Sequence, residues 1–190
     1  MIRQLADQGY AIVDGLLPAT DLNELQRSAQ YILSAQATQA GTGRGSNHGV
    51  NAGIRQDHIA WLDQSDAASA GFLARMEQLR QQLNQQLFLG LFSYECHYAR
   101  YQAGGFYRKH LDAFKGERNR LLSTVFYLNP DWQAGQGGEL LVYNHDGTAI
   151  VTSVTPLANR LVLFLSEEFP HEVLPATRQR LSIAGWFRGA

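Results

Sequence analysis

The chain has 190 residues, of which 45% are apolar, enough for one ordinary domain with a full core and too apolar for a disordered chain. Its formal net charge is −1 with no long run of one sign, which argues against nucleic acid as a partner. Cys96 is the only cysteine, which excludes an internal disulfide and a cysteine-rich zinc site.

The first 17 residues lack a continuous apolar stretch with a cleavage site, and no apolar run is long enough to span a membrane. The expectation is a soluble, cytoplasmic protein that folds as a single domain over 1–190, with helical support over about 1–90 and a strand-rich core over about 93–188.

Tyr10 to Asp14 reads as a short strand. Thr20 or Asp21 is placed to cap a helix running to about Ala35, with Leu22, Leu25, Ala29, Ile32 and Leu33 on one face. Four glycines among residues 41–49 predict a loop. A second amphipathic helix is expected over 70–89, with Phe72, Met76, Leu79, Leu83 and Leu87 at helical spacing. From Tyr94 onward the pattern becomes short strands broken by turns, at 94–101, 121–128, 139–143, 149–154, 160–164 and 180–187. Helices followed by many evenly spaced strands predict an α+β protein built on a double-stranded β-helix, a jelly-roll or cupin-like barrel.

Two segments carry chemistry. His110-Leu111-Asp112 places an imidazole and a carboxylate two residues apart, on one face of an extended segment. His171, at the start of a predicted strand, supplies a second imidazole from far along the chain. Two histidines and one carboxylate make the three-ligand face of a non-haem Fe(II) centre, although the same ligand types also bind zinc. Arg180 and Ser182 share one strand face just after His171, a guanidinium and a hydroxyl suited to holding a carboxylate. Tyr127 and Tyr101 offer phenolic donors. Of the other histidines, His145 reads as a surface turn residue, His97 as a core or pocket residue, and His48 and His58 as solvated flanks of the glycine loop.

Over Gly53 to Phe187 the chain resembles the prolyl hydroxylase branch of the 2-oxoglutarate/Fe(II) oxygenases, and in particular bacterial relatives of the hypoxia-inducible-factor prolyl hydroxylases. The resemblance rests on four segments besides the metal motif. They are Ile54-Arg55-Gln56-Asp57-His58-Ile59-Ala60-Trp61, the run Tyr101 to Tyr107 leading into His110, Phe126-Tyr127-Leu128-Asn129-Pro130-Asp131-Trp132, and Gly137-Gly138-Glu139-Leu140.

This resemblance implies that His110, Asp112 and His171 ligate Fe(II). It implies that Arg180 pairs with the distal carboxylate of 2-oxoglutarate, hydrogen-bonded also by Tyr127, with Tyr101 and Ser182 in the same pocket. Arg55, Asp57, Tyr107 and Trp186 are expected on the substrate side, with the glycine-rich segment as a closing loop. Ala184 stands where the animal enzymes carry a threonine near the cosubstrate.

The implied activity is hydroxylation of a prolyl residue in a protein, a translation factor being one candidate. It uses O2 and 2-oxoglutarate, releases succinate and CO2, and takes ascorbate as a supporting reductant. The rival readings are a hydroxylase of free proline or another metabolite, a sensing module with little turnover, and a zinc-dependent hydrolase on the same barrel.

Overall fold

The computed structural model describes residues 1–41, 49–113 and 119–190. The stretch read as a glycine-rich loop, His48 included, lies for the most part outside them. In chain order the elements are α1 (Ile2–Gln8), β1 (Tyr10–Asp14), α2 (Ala19–Gln36), β2 (Thr38–Gln39), β3 (Asp57–Trp61) and α3 (Ala67–Leu87). Then come β4 (Leu91–Tyr101), β5 (Tyr107–His110), β6 (Leu122–Tyr127), β7 (Leu140–Tyr143), β8 (Ile150–Val154), β9 (Arg160–Leu165), β10 (His171–Val173) and β11 (Arg180–Gly189).

The strands form two antiparallel sheets, one ordered β1-β9-β6-β11-β4-β3-β2 and the other β5-β10-β7-β8. This is the expected jelly roll, in an open form whose sheets do not close into a barrel. The N-terminal region is less purely helical than the sequence reading held, because β1, β2 and β3 all extend the larger sheet.

The helices form where apolar side chains recur at helical spacing, and the sheet supplies the surface that buries them. Leu25, Ala29 and Leu33 of α2 and Phe72, Met76, Leu79 and Leu83 of α3 are all buried against the larger sheet. The start of α2 differs from expectation: Pro18 occupies the N-cap without a side-chain bond, and Thr20 and Asp21 fall inside the first turn. Proline suits this point because a helix leaves its first N–H groups unpaired. Asp66 caps α3 instead, accepting a bond from the Ser69 amide at 2.8 Å.

Strand alternation then divides every central strand into two rows. On β11, Leu181, Ile183 and Phe187 join the helix-side core, as do Cys96 and Tyr98 of β4 and Leu122 and Phe126 of β6. Each such side chain contributes about 1.5–3 kcal/mol by leaving water. The other row points toward the smaller sheet. Ala99, Tyr101, Tyr127, Val162 and Phe164 pack there with Leu140, Val142, Val154 and Val173. Arg180, Ser182, Ala184 and Trp186 occupy this same inward row of β11, which is why polar chemistry appears inside the roll.

Candidate active site

His110 and His171 come together because β5 and β10 pair antiparallel with these two residues directly opposite. Opposed residues on neighbouring strands carry their side chains on one face about 5 Å apart, and the two rings sit 4.3 Å apart between centroids. Asp112 follows just past the end of β5. Its two oxygens lie 3.6 Å from Nε2 of His110 and 3.6 Å from Nε2 of His171, one each. One ligand atom from each of the three residues falls within 4.8 Å of the others.

The remaining atoms of these residues are fixed by their neighbours. His110 Nδ1 is 2.7 Å from the Arg108 carbonyl and His171 Nδ1 is 3.0 Å from the Phe169 carbonyl. A carbonyl only accepts, so each Nδ1 carries the proton and donates, leaving each Nε2 lone pair aimed at the shared centre. Ser123 on β6 donates to Asp112 Oδ2 at 2.7 Å and is itself 2.9 Å from Ser166 Oγ. The cluster thus bridges the two sheets, with imidazoles from the smaller one and a carboxylate anchored to the larger.

Burial works to raise the Asp112 pKa, but the imidazoles of His171 and His110 and the Ser123 hydroxyl outweigh it and hold the carboxyl below the usual carboxylate range. Burial, followed by the neighbouring His110, pushes His171 down to about 4. An ionised carboxylate beside a neutral imidazole is the protonation state a divalent cation requires.

Arg180 is 1% exposed and opposes Tyr101 on β4. Its guanidinium lies 5.1 Å from the Tyr101 ring centroid and 5.0 Å from that of Tyr127, and Nη1 reaches Ser182 Oγ at 3.4 Å. Among the described residues no carboxylate pairs with it, and Arg180 Nε and Tyr127 Oη have no hydrogen-bond partner. Burial raises the pKa of both Tyr101 and Tyr127, so both keep their phenolic protons. A buried, unpaired cation beside an unused donor fits one carboxylate end of a dicarboxylate ligand. The donor set of the triad likewise fits Fe(II), with one carboxylate and two imidazoles leaving further coordination positions open.

Gly138 lies against the stem of Arg180. Its φ is +75°, and an added Cβ would lie 3.0 Å from Ala176 Cβ, 3.1 Å from the Trp132 ring and 3.3 Å from Arg180 Cδ. Only glycine accepts both the backbone angle and that approach.

Of the residues read as substrate-side, Arg55 and Asp57 form a bidentate pair at 2.6 and 2.9 Å. Asp57 is fully buried. The Tyr107 ring stacks on His110 with centroids 3.6 Å apart. Trp186 opposes Ser123 in register and lies under the Arg120 guanidinium at 3.6 Å. His97 lies on the same inward face, between Trp61 and Trp186, with ring centroids 5.2 and 5.6 Å away. His145 is exposed in a turn.

The sequence reading missed Ser123, Ser166 and Asn129. Asn129 accepts from the Leu181 amide at 2.6 Å and donates to the Pro156 carbonyl at 2.9 Å, which pins the start of the strand carrying Arg180. Ser123 was within reach of alternation, because it shares its face of β6 with Tyr127. Nothing in the pattern marks Ser166.

The sequence profile of the 2OG-Fe(II) oxygenase superfamily matches residues 96–188, the span holding all three triad residues and Arg180. The crystal structure of a Pseudomonas putida prolyl-4-hydroxylase superposes with a TM-score of 0.88 at 41% identity, covering 100% of this chain and 97% of that one. A prolyl hydroxylase from Trichoplax adhaerens, solved with a hypoxia-inducible-factor oxygen degradation domain peptide, superposes with a TM-score of 0.86 at 26% identity, covering 98% and 86%. The hypoxia-inducible factor prolyl hydroxylase of Caenorhabditis elegans is 29% identical over 98% of this chain, which spans 27% of that protein's length.

Proposed function

This chain belongs to the 2OG-Fe(II) oxygenase superfamily, in its prolyl hydroxylase branch, and from that membership we propose that it hydroxylates a prolyl residue in a protein substrate. The observation that carries the reading is the pairing of a complete His-Asp-His face with a buried guanidinium that has no counter-ion among the described residues. When bound, Fe(II) with 2-oxoglutarate and O2 supplies the oxidising power to hydroxylate an unactivated carbon, with succinate and CO2 released.

The chain's own residues bind and orient. His110, Asp112 and His171 hold the metal, with Ser123 fixing the Asp112 carboxylate by donating to its Oδ2. Arg180 takes the distal carboxylate of 2-oxoglutarate, Tyr127 donates to it, and Ser182 steadies the guanidinium. Tyr101 closes the apolar side and excludes water, which strengthens the pairing. Arg55, Tyr107 and Trp186 face the substrate, and Asp57 acts through Arg55.

Residues 1–190 act as one catalytic unit in this reading, because α2 and α3 back the sheet that carries Arg180. A proline-bearing loop of a translation factor is one candidate substrate, by the resemblance to bacterial enzymes of this branch. Among the described residues no helix is long and apolar enough to cross a membrane. A cytoplasmic setting belongs to the same proposal.

The test follows succinate release by the purified chain with Fe(II), 2-oxoglutarate and ascorbate. The additions compared are the macromolecular fraction of a host extract and free L-proline. Stimulation by the macromolecules alone is expected. Stimulation by free proline alone would overturn the protein-substrate reading in favour of a metabolite hydroxylase.

A further inference from the structure

We propose that Arg55 and Tyr107 form a stacked bracket that holds the His110 imidazole in its metal-binding orientation, so that residues 54–57 govern how tightly the metal is kept. The inference rests on the triad being a metal site and adds a positioning role to residues read only as substrate-side.

The three ligands are not equally enclosed. The His171 side chain is 6% exposed, with the Phe164 ring 4.6 Å away, whereas that of His110 is 18% exposed. The hydrogen bond from His110 Nδ1 to the Arg108 carbonyl selects the tautomer. A single bond still permits the ring to swing about it. What fixes the ring plane is Tyr107, three residues earlier, whose ring lies almost parallel to the imidazole at 16° and 3.6 Å.

Tyr107 is held in turn from a distant part of the chain. The Arg55 guanidinium lies over the Tyr107 ring, 4.8 Å from its centroid. Arg55 and Tyr107 form an antiparallel β-bridge, flanked by bonds from the Gln56 amide to the Phe106 carbonyl at 3.1 Å and from the Arg108 amide to the Ile54 carbonyl at 2.9 Å. Both oxygens of the buried Asp57 hold Arg55, which also donates to the Gly41 carbonyl at 3.3 Å. Asp57 opposes Tyr101 on β4, the tyrosine against Arg180.

The chemistry of the stack favours the loaded state. A bound cation draws electron density from the imidazole and makes that ring more positive, and an electron-rich phenol face stabilises it. Asp57 neutralises Arg55, so the guanidinium orders the phenol without adding net charge beside a dication. Partners that orient a ligating histidine typically alter metal affinity by about 10–100-fold when removed.

The test measures Mn(II) affinity of the full chain in the absence of turnover, by loss of the free-ion electron paramagnetic resonance signal. Tyr107→Phe keeps the stacked ring and is expected to bind within about threefold of the parent. Tyr107→Leu removes the aromatic face and is expected to bind about 10–100-fold more weakly. The double variant Arg55→Gln/Asp57→Asn keeps the size and polarity of the pair but removes the cation, with an expected weakening of about five- to tenfold, and parent-like affinity would overturn the part given to Arg55.

Thermal unfolding without metal separates this from misfolding, since the Tyr107 variants are expected to melt close to one another. Parent-like Mn(II) affinity in Tyr107→Leu would overturn the bracket, as would equal weakening in Tyr107→Phe. The readout is independent of the reaction. Weakened Mn(II) binding in Tyr107→Leu with no prolyl product from the Fe(II)-loaded parent sinks the functional reading alone, whereas prolyl product from the parent with unchanged Mn(II) binding in Tyr107→Leu sinks the bracket alone. A parent that does not bind Mn(II) would remove the triad and the bracket together.

Discussion

Replacing Arg180 by methionine should weaken cosubstrate binding while leaving the ligand-free fold as stable as before, or more so. The two effects have opposite signs because Arg180 is a buried cation with no carboxylate partner among the described residues. Among the described residues its guanidinium lies 3.4 Å from Ser182 Oγ and against two aromatic faces, and its Nε has no partner. Desolvation of that guanidinium is therefore uncompensated without ligand, and an apolar side chain of similar length fits the space at no such cost. Unfolding by urea should show Arg180→Met unchanged or stabilised by up to about 3 kcal/mol.

With ligand present, the variant leaves a buried carboxylate unpaired, which costs about 3–5 kcal/mol. At about 1.4 kcal/mol per factor of ten, 2-oxoglutarate affinity should fall by about two to three and a half orders of magnitude. Anaerobic isothermal titration of 2-oxoglutarate into the Mn(II)-loaded chain reads this directly. An affinity within tenfold of the parent would refute the assignment of Arg180. Strong destabilisation of the ligand-free variant would refute the claim that the cation is held for a ligand rather than for the fold.

Three further outcomes follow from the geometry. Ser123→Ala removes a hydroxyl that donates to Asp112 at 2.7 Å; Co(II) titration should show affinity reduced by about tenfold or more, and an unchanged value would make Ser123 a packing residue. Gly138→Ala places a Cβ at φ +75° against Ala176, Trp132 and Arg180; urea unfolding should show a loss of about 1–3 kcal/mol, and parent-like stability would contradict the close approach. His97 is pushed down to about 4, by burial first and by the Arg55 cation second, so between about pH 6.5 and pH 4 the unfolded chain binds the extra proton and stability falls as pH falls. This costs about 2 kcal/mol between pH 7 and pH 5, and His97→Phe, which retains a ring between Trp61 and Trp186, should lose that part of the pH dependence in urea titrations; an identical slope in the variant would assign it elsewhere.

The long elements were legible because their apolar residues recur with a clear period. Residues of α2, α3, β4, β6, β9 and β11 alternate or repeat according to which face they bury, and those bounds were read to within a few residues. Of the short strands, β1, β7 and β8 and the start of β10 were legible, whereas β2, β3 and β5 were not. Tyr107–His110 holds too few residues to show alternation, and it exists because it pairs with His171–Val173, which in turn pairs with β7.

The triad could be read from its residue types and order, and Arg180 from its place on the strand after His171. What could not be read was long-range geometry. The Arg55–Tyr107 bridge joins residues 52 positions apart, and Asn129 reaches the Leu181 amide across the same number of positions. The first joins two segments that the sequence assigns to no helix or long strand and the second starts at a turn, and neither type of position carries a periodic signal.

The central claim is that oxygen from O2 is placed on a prolyl residue of a protein. Incubating the chain with Fe(II), 2-oxoglutarate, isotopically heavy O2 and the proteome of a host lacking it, followed by mass spectrometry, tests this directly. Heavy oxygen is expected in succinate and on a single prolyl residue, with both signals absent from Asp112→Ala. Heavy oxygen confined to small molecules, or found in neither product, would contradict the claim.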